Sequence, residues 1–438
     1  MKNMRSRDDD IIQTIKSRSH LLKEPSDLTP LFDAIGDSNV VMLGEASHGT
    51  HEYYTWRAYI SKKLITEKKF NFIAVEGDWP DCYEVNRFIK NYPGAGQSVR
   101  DVLQIYDRWP TWMWANWEIS ALIEWLKNFN EEKSDGNKVG FYGLDVYSLW
   151  ESMDAILNYL KKEDPASVEI ALEAYKCFEP HKGDEGLSYA RSLQFVPDTC
   201  EEEAISLLKQ IRERSRHYDT DPENIFNVEQ NALITVNAEN YYRSMLRGGE
   251  HSWNVRDTHM NETLDRLMKL HGPNARAIVW EHNTHIGDAR ATDMSREGMI
   301  NIGELARQNK QYKVFLTGFG SYEGTVIAGK KWGAKMEVMD VPQARSGSWE
   351  HYLHAAGDDD KLLLTDELHN TAISDDYLGH RAIGVVYNPV YEKYGNYVPS
   401  IIPQRYDAFI YLDKTEALKP FHLDKDSHKM PETYPFGV

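Results

Sequence analysis

Three short apolar runs in this chain end in the same way, on glutamate and histidine. Val40-Val41-Met42-Leu43 opens into Gly44-Glu45-Ala46-Ser47-His48-Gly49. Phe72-Ile73-Ala74-Val75 opens into Glu76-Gly77-Asp78-Trp79-Pro80-Asp81, and Ala277-Ile278-Val279-Trp280 into Glu281-His282-Asn283-Thr284-His285. A short unbroken apolar run bounded by glycine and followed by a helical pattern marks a strand buried on both faces, as in a parallel sheet. Open α/β sheets bind their ligands at the carboxyl ends of such strands. Acids and imidazoles on three such ends predict one converging polar site, and hence an enzyme.

The same alternation continues along the chain. Strands are predicted over 39–43, 71–75 and 138–142, separated by helices over 50–68, 80–89 and up to residue 129. That order implies an α/β fold, a largely parallel sheet with helices on both faces. From Leu149 the strand signal stops, and helical stretches follow at 148–161, 166–177, 201–214, 224–246 and 256–271. We read residues 149–271 as a helical insertion within a single domain spanning 1–438. Strands resume at 275–280, 313–317, 337–341, 361–364, 382–387 and 408–412, and the tail after Lys414 is expected to wrap the surface.

Charge narrows the function classes. Lys and Arg number 50 against 68 Asp and Glu, a net charge of −18, with no clustered basic surface, which argues against a nucleic-acid partner. The N-terminus is polar and carries no apolar stretch of signal-peptide length. No run reaches the ~18–20 apolar residues of a membrane helix, so no membrane partner is expected. Cys82, Cys177 and Cys200 lack metal-type spacing, and an odd, sparse count predicts free thiols in a reducing, cytoplasmic setting.

Glu45 and His48 sit three apart across a strand-to-helix turn. A histidine is the natural general base near neutral pH, and an adjacent carboxylate fixes its tautomer; the bland alternative is a helix-capping pair. Glu76 is either a second acid–base group or the partner of Arg57, which follows His48 by nine residues. His282 and His285, three apart, share one face of a helical turn, a spacing that also permits a divalent ion held with the glutamates. No His-Glu-x-x-His pattern is present. Ser47 lacks the glycine two residues before it that a nucleophile elbow requires, which leaves a histidine-activated water. Gly318–Gly324 lacks dinucleotide spacing and is expected to form a tight loop facing substrate. Trp79, Trp109, Trp112, Trp114 and Trp117 either pack the core or line a large cleft. Arg243, Arg256, Asp257 and His259 form a charged interior network or the far wall of that cleft.

These pieces resemble the erythromycin esterase family. The resemblance is carried by Leu43 to Glu52 with Trp56-Arg57, by Val75 to Asp81, by Asn254-Val255-Arg256-Asp257-Thr258-His259-Met260, and by Trp280 to Arg290. It extends from Leu31 to Leu412. Members open ester bonds, the lactone of macrolide antibiotics among them, without a covalent serine intermediate, and some carry a succinoglycan-biosynthesis label. The resemblance implies His48 as the base that deprotonates water, Glu45 and Glu76 orienting it, Arg57 polarising the site and His285 as a second histidine. His282, Trp79, Asp78, Trp112, Arg256 and His259 are the expected substrate contacts. It also implies a central mixed sheet flanked by helices, with the helical insertion over the cleft. The expected function is hydrolysis of an ester or lactone in a bulky small molecule, with no cofactor. The alternatives are a divalent-metal hydrolase built on the same Glu/His cluster, and a non-catalytic small-molecule or polysaccharide-binding protein.

Overall fold

In a computed structural model, residues 2–184, 187–192, 199–214, 222–245 and 248–421 are described. Eleven strands follow in chain order: β1 (Ser19–Leu21), β2 (Val40–Leu43), β3 (Phe72–Asp78), β4 (Gly140–Asp145), β5 (Ala277–Trp280), β6 (Val314–Gly329), β7 (Met336–Val341), β8 (Lys361–Leu364), β9 (Leu378–Arg381), β10 (Tyr397–Ser400) and β11 (Ala408–Thr415). Nine form one mixed sheet in the order β1-β8-β11-β6-β2-β5-β3-β4, with β7 paired to β6. From β11 to β4 every neighbouring pair on that path is parallel; the pairs β1–β8, β8–β11 and β6–β7 are antiparallel.

The central strands are apolar throughout because both faces are covered. Val41, Leu43, Ile278 and Trp280 enter one core with Tyr54, Ile60 and Leu64 of the helix His51–Lys68. Val40, Met42, Ala277 and Val279 enter another with Met260, Leu264 and Leu267 of the helix Gly249–Leu270. The period-two alternation of each strand sends successive residues to opposite helical layers.

Register then sets the site. Leu43 pairs with Trp280, Trp280 with Val75, and Val75 with Gly143, so the ends of β2 and β5 lie level with Val75 and Gly143, beyond which β3 and β4 run on to Asp78 and Asp145. The residues just beyond that level are Glu45, Glu281, Glu76 and Asp145. The polar groups converge because the apolar runs of β2, β5, β3 and β4 give way to polar residues at one height across the sheet.

Between β4 and β5 run the helices Leu149–Glu163, Val168–Phe178, Leu187–Ser192, Glu201–Arg214, Asn224–Ser244 and Gly249–Leu270. They bury apolar sets of their own, such as Ile156, Leu160, Leu207 and Ile211. The last begins seven residues ahead of its expected start, which places Arg256 inside the helix rather than at its mouth. Among the described residues no helix is long and apolar enough to cross a membrane.

Three expectations need correction. Cys177 and Cys200 form a disulfide across a separation of 23 residues, and Cys82 is a buried thiol outside any disulfide. That pairing removes the argument for a reducing compartment drawn from the odd cysteine count. Gly318–Gly324 is no loop; it lies inside the long strand β6. Its glycines make room for rings: a Cβ on Gly318 would stand 2.7 Å from Tyr406, and one on Gly320 2.7 Å from Phe409. Residues 382–387 make no strand; Ile383 and Val386 form single bridges to Ser47 and Gly329. The tail continues past β11 to bridge Thr50 and Asn116 through Ala417 and Pro420, and residues 422–438 lie outside the described ones.

Candidate active site

The turn after β2 is held by its neighbours' main chain. Ile383 N–H donates to the Ala46 carbonyl at 2.8 Å and Asn283 N–H to the Glu45 carbonyl at 2.9 Å. On this frame Glu45 Oε1 meets His48 Nδ1 at 3.0 Å, and Glu45 Oε2 accepts from Arg57 Nη2 at 2.6 Å. Arg57 is the partner of Glu45, not of Glu76. Its guanidinium sits in the corner made by the edge-on rings of Tyr54 and Trp280, 4.4 and 4.7 Å from their centroids. All of these side chains are buried. His48 Nε2 has no hydrogen-bond partner among the described residues.

From the other face of the sheet comes Arg256. Its Nε and Nη2 grip Asp145 at 3.0 and 2.7 Å, and Nη2 also donates to Glu76 Oε1 at 2.7 Å. The second oxygen of Glu76 accepts from His282 N–H at 2.9 Å. Burial on its own would raise the Glu76 carboxyl. The surrounding imidazoles, the Arg256 guanidinium and that amide together hold it well below the ordinary carboxylate range.

His285 belongs to this second cluster. Its Nδ1 lies 3.0 Å from both oxygens of Asp257, and its ring stacks on Trp253 with centroids 4.5 Å apart. Arg256 Nη1 lies 3.0 Å from His285 Nε2. A guanidinium can only donate, so Nε2 is the acceptor and the imidazole proton sits on Nδ1. His282 leans the other way, with its ring 5.0 Å from that of His48. Burial pushes the His282 imidazole well below its ordinary range, and the proximity of His48 adds to this. Its Nδ1 accepts from Thr284 N–H at 3.3 Å.

The remaining expected contacts disperse. Trp79 is packed between Tyr83 and Tyr142, with its N–H on Asn227, and is not brought to the cluster. Asp78 is paired with Arg108 at 2.8 Å. His259 is held by Asn237 at 2.8 Å, and Arg243 by Glu239 and Glu201. Trp112 is buried, whereas Trp117 is 59% exposed.

Three groups join the cluster that were not among the expected catalytic or substrate-binding residues. Asp145 closes the predicted strand over 138–142, and Asp257 was read only as part of a charged interior network or cleft wall with Arg243, Arg256 and His259. Glu281 is buried with neither carboxylate oxygen hydrogen-bonded among the described residues. Burial, then the charges of Glu76 and Asp257, push its carboxyl well above the ordinary range. Among the described residues no group of three or more His, Cys, Asp or Glu has an arrangement that would hold a metal ion.

A sequence model of the erythromycin esterase family matches residues 65–415. A Bacillus subtilis protein named as a hydrolase, YbfO, is 21% identical over 410 residues, covering 88% of this chain and 86% of its own. An erythromycin esterase type II from Escherichia coli is 21% identical over 354 residues, covering 76% and 81%. Among solved structures, one titled a succinoglycan biosynthesis protein superposes with a TM-score of 0.74 at 20% identity, over 94% of this chain and 98% of the other. A mutant of the erythromycin esterase EreC, in its open conformation, superposes with a TM-score of 0.66 at 16% identity, over 93% and 99%.

Proposed function

The chain belongs to the erythromycin esterase family, a kinship that makes it a hydrolase, and from that premise we propose that it cleaves an ester or lactone of a small molecule with a water activated by His48. The observation that carries this reading is the state of His48: Nδ1 on Glu45 at 3.0 Å, Nε2 buried and without a hydrogen-bond partner among the described residues. A carboxylate on Nδ1 keeps the proton there and leaves Nε2 as the lone-pair side. Water bound at Nε2 gives up a proton to it as the water oxygen bonds to the acyl carbon. The resulting imidazolium is stabilised by Glu45 and returns the proton to the departing alkoxide.

Glu45 and Glu76, the carboxylates that would ligate an ion, are already held by Arg57 and Arg256. The reading therefore assigns water activation to His48 without a metal. Asp257 and His285 act as positioning residues that fix Arg256, and through it Glu76. The test is hydrolysis of a panel of esters and macrolactones by wild type and His48→Ala, each with and without chelator. Turnover that needs His48 and survives chelator is the expected result. Turnover lost to chelator, or kept in His48→Ala, overturns the reading.

A further inference from the structure

The buried tryptophans sort by whether their indole N–H is used. Trp79 donates to Asn227 at 2.8 Å, Trp109 to the Ala334 carbonyl at 2.8 Å and Trp280 to Ser61 at 3.0 Å. Trp253 and Trp349 donate to the carbonyls of Ile300 and Ser400 at 2.8 and 2.9 Å. Trp112, Trp114 and Trp150 have no acceptor among the described residues. Trp114 stands at the site: a Cβ on Gly77, the residue after Glu76, would lie 2.9 Å from its Nε1.

Tyr54 is in the same condition. It is 1% exposed, and its hydroxyl meets no acceptor among the described residues; its hydrogen-bonding neighbour is the guanidinium of Arg57, which can only donate. Its ring packs edge-on against Trp280, with centroids 6.4 Å apart, and against the Arg57 guanidinium. Trp280 pairs with Val75, two residues before Gly77. Tyr54 and Trp114 therefore flank the ends of neighbouring strands β5 and β3, within the one core layer that both enter. Burial lifts the phenol well above its ordinary range, and the charge of Glu45 adds to this, so the hydroxyl keeps its proton as a donor.

Tyr54 and Trp114 are thus two buried neutral donors that meet no acceptor among the described residues, Tyr54 against the guanidinium that holds Glu45 and Trp114 over Gly77, next to Glu76. Such groups are costly in a folded interior unless a ligand satisfies them. We propose that Tyr54 Oη–H and Trp114 Nε1–H bind the substrate's acyl oxygen and stabilise it as an oxyanion. The proposal deepens the esterase reading and rests on it. As the water oxygen bonds to the acyl carbon, the carbonyl π pair moves onto that oxygen, where both donors meet it. Collapse re-forms the double bond, breaks the bond to the alkoxide and sends the His48 proton to that leaving group. Neither Tyr54 nor Trp114 loses a proton.

The test is calorimetric titration with methyl hexylphosphonate, a tetrahedral monoanion, alongside kcat and KM on each ester the wild type turns over. Tyr54→Phe should bind the phosphonate at least ~10-fold more weakly and lose on the order of 10²-fold in kcat with little change in KM. Trp114→Phe should do the same, and Tyr54→Phe should melt close to wild type, since the hydroxyl it deletes donates to nothing among the described residues. A wild type that fails to bind the phosphonate, or a Tyr54→Phe variant with undiminished affinity, overturns the proposal. Tyr54-dependent phosphonate binding in a protein that hydrolyses no ester keeps the donors and overturns the esterase reading instead.

Discussion

Arg256 donates to Nε2 of His285 at 3.0 Å, and that one bond separates the two histidine–carboxylate pairs of the site. Both His48 and His285 rest Nδ1 on a carboxylate at 3.0 Å. The lone pair of His285 is occupied by a guanidinium, and that of His48 meets no donor among the described residues. A third pair, Glu350–His380, is likewise closed by the Asn283 amide at 3.2 Å. Of the three, His48 alone can accept a proton from a ligand without first breaking a hydrogen bond.

His48→Ala should therefore lower kcat by ~10²–10⁴, the usual contribution of a general base, with the circular dichroism spectrum unchanged. Single-turnover rates on any hydrolysed ester check this. Retention of more than about a tenth of the wild-type rate would move the base elsewhere.

Much of this site was legible because parallel strands advertise their ends. Glu45, His48, Glu76 and His285 all follow unbroken apolar runs, and the register that levels those runs also gathers them. What was hidden depends on contacts between distant segments. Arg256 pairs with Asp145 across 111 residues and with Glu76 across 180, and no local pattern encodes that. Trp79 misled because an aromatic next to a strand end has the same spelling whether it lines a cleft or stacks on Tyr142. The disulfide was unreadable because two cysteines 23 residues apart meet only through the fold of the insertion.

Arg256 balances a dense buried acid cluster. Replacing it by leucine removes the counter-charge of Asp145 and Glu76 and leaves both carboxylates dry. Arg256→Leu should cost about 3–5 kcal/mol, because a broken buried pair strands its partner. Urea unfolding followed by tryptophan fluorescence reads this, and a loss under about 1 kcal/mol would mean the charges are balanced by another group.

Glu281 carries the opposite pH signature. Its folded carboxyl is raised above the ordinary 4.5, with burial the largest cause. Below pH 4.5 both folded and unfolded chains hold the proton; above it the unfolded chain releases it first. Stability from this group is thus lost as pH rises, by about 1.4 kcal/mol per unit until the folded carboxyl ionises. Glutamine keeps the neutral shape, so Glu281→Gln should match wild type near pH 4 and exceed it near pH 8. Equal melting temperatures at both pH values would show that Glu281 is ionised in the folded protein.

His259 should govern part of the acid limb. Burial, the largest cause, pushes its imidazole from 6.5 down to about 3, and Asn237 Nδ2 donates to its Nδ1 at 2.8 Å, which suits the neutral ring. Between those two values the unfolded chain binds a proton that the folded chain refuses. Stability is therefore complete above about pH 6.5 and falls as the pH drops, by up to about 1.4 kcal/mol per unit from this residue. His271, pushed down to about 4 mainly by burial, acts in the same direction. In His259→Gln the amide oxygen can still accept from Asn237, while nothing at the position titrates. Its stability-against-pH curve should fall less steeply than wild type between about pH 6 and 4, with the remaining slope owed to His271 and its neighbours. Parallel curves for the two proteins across that window would mean that His259 takes up its proton inside the folded chain.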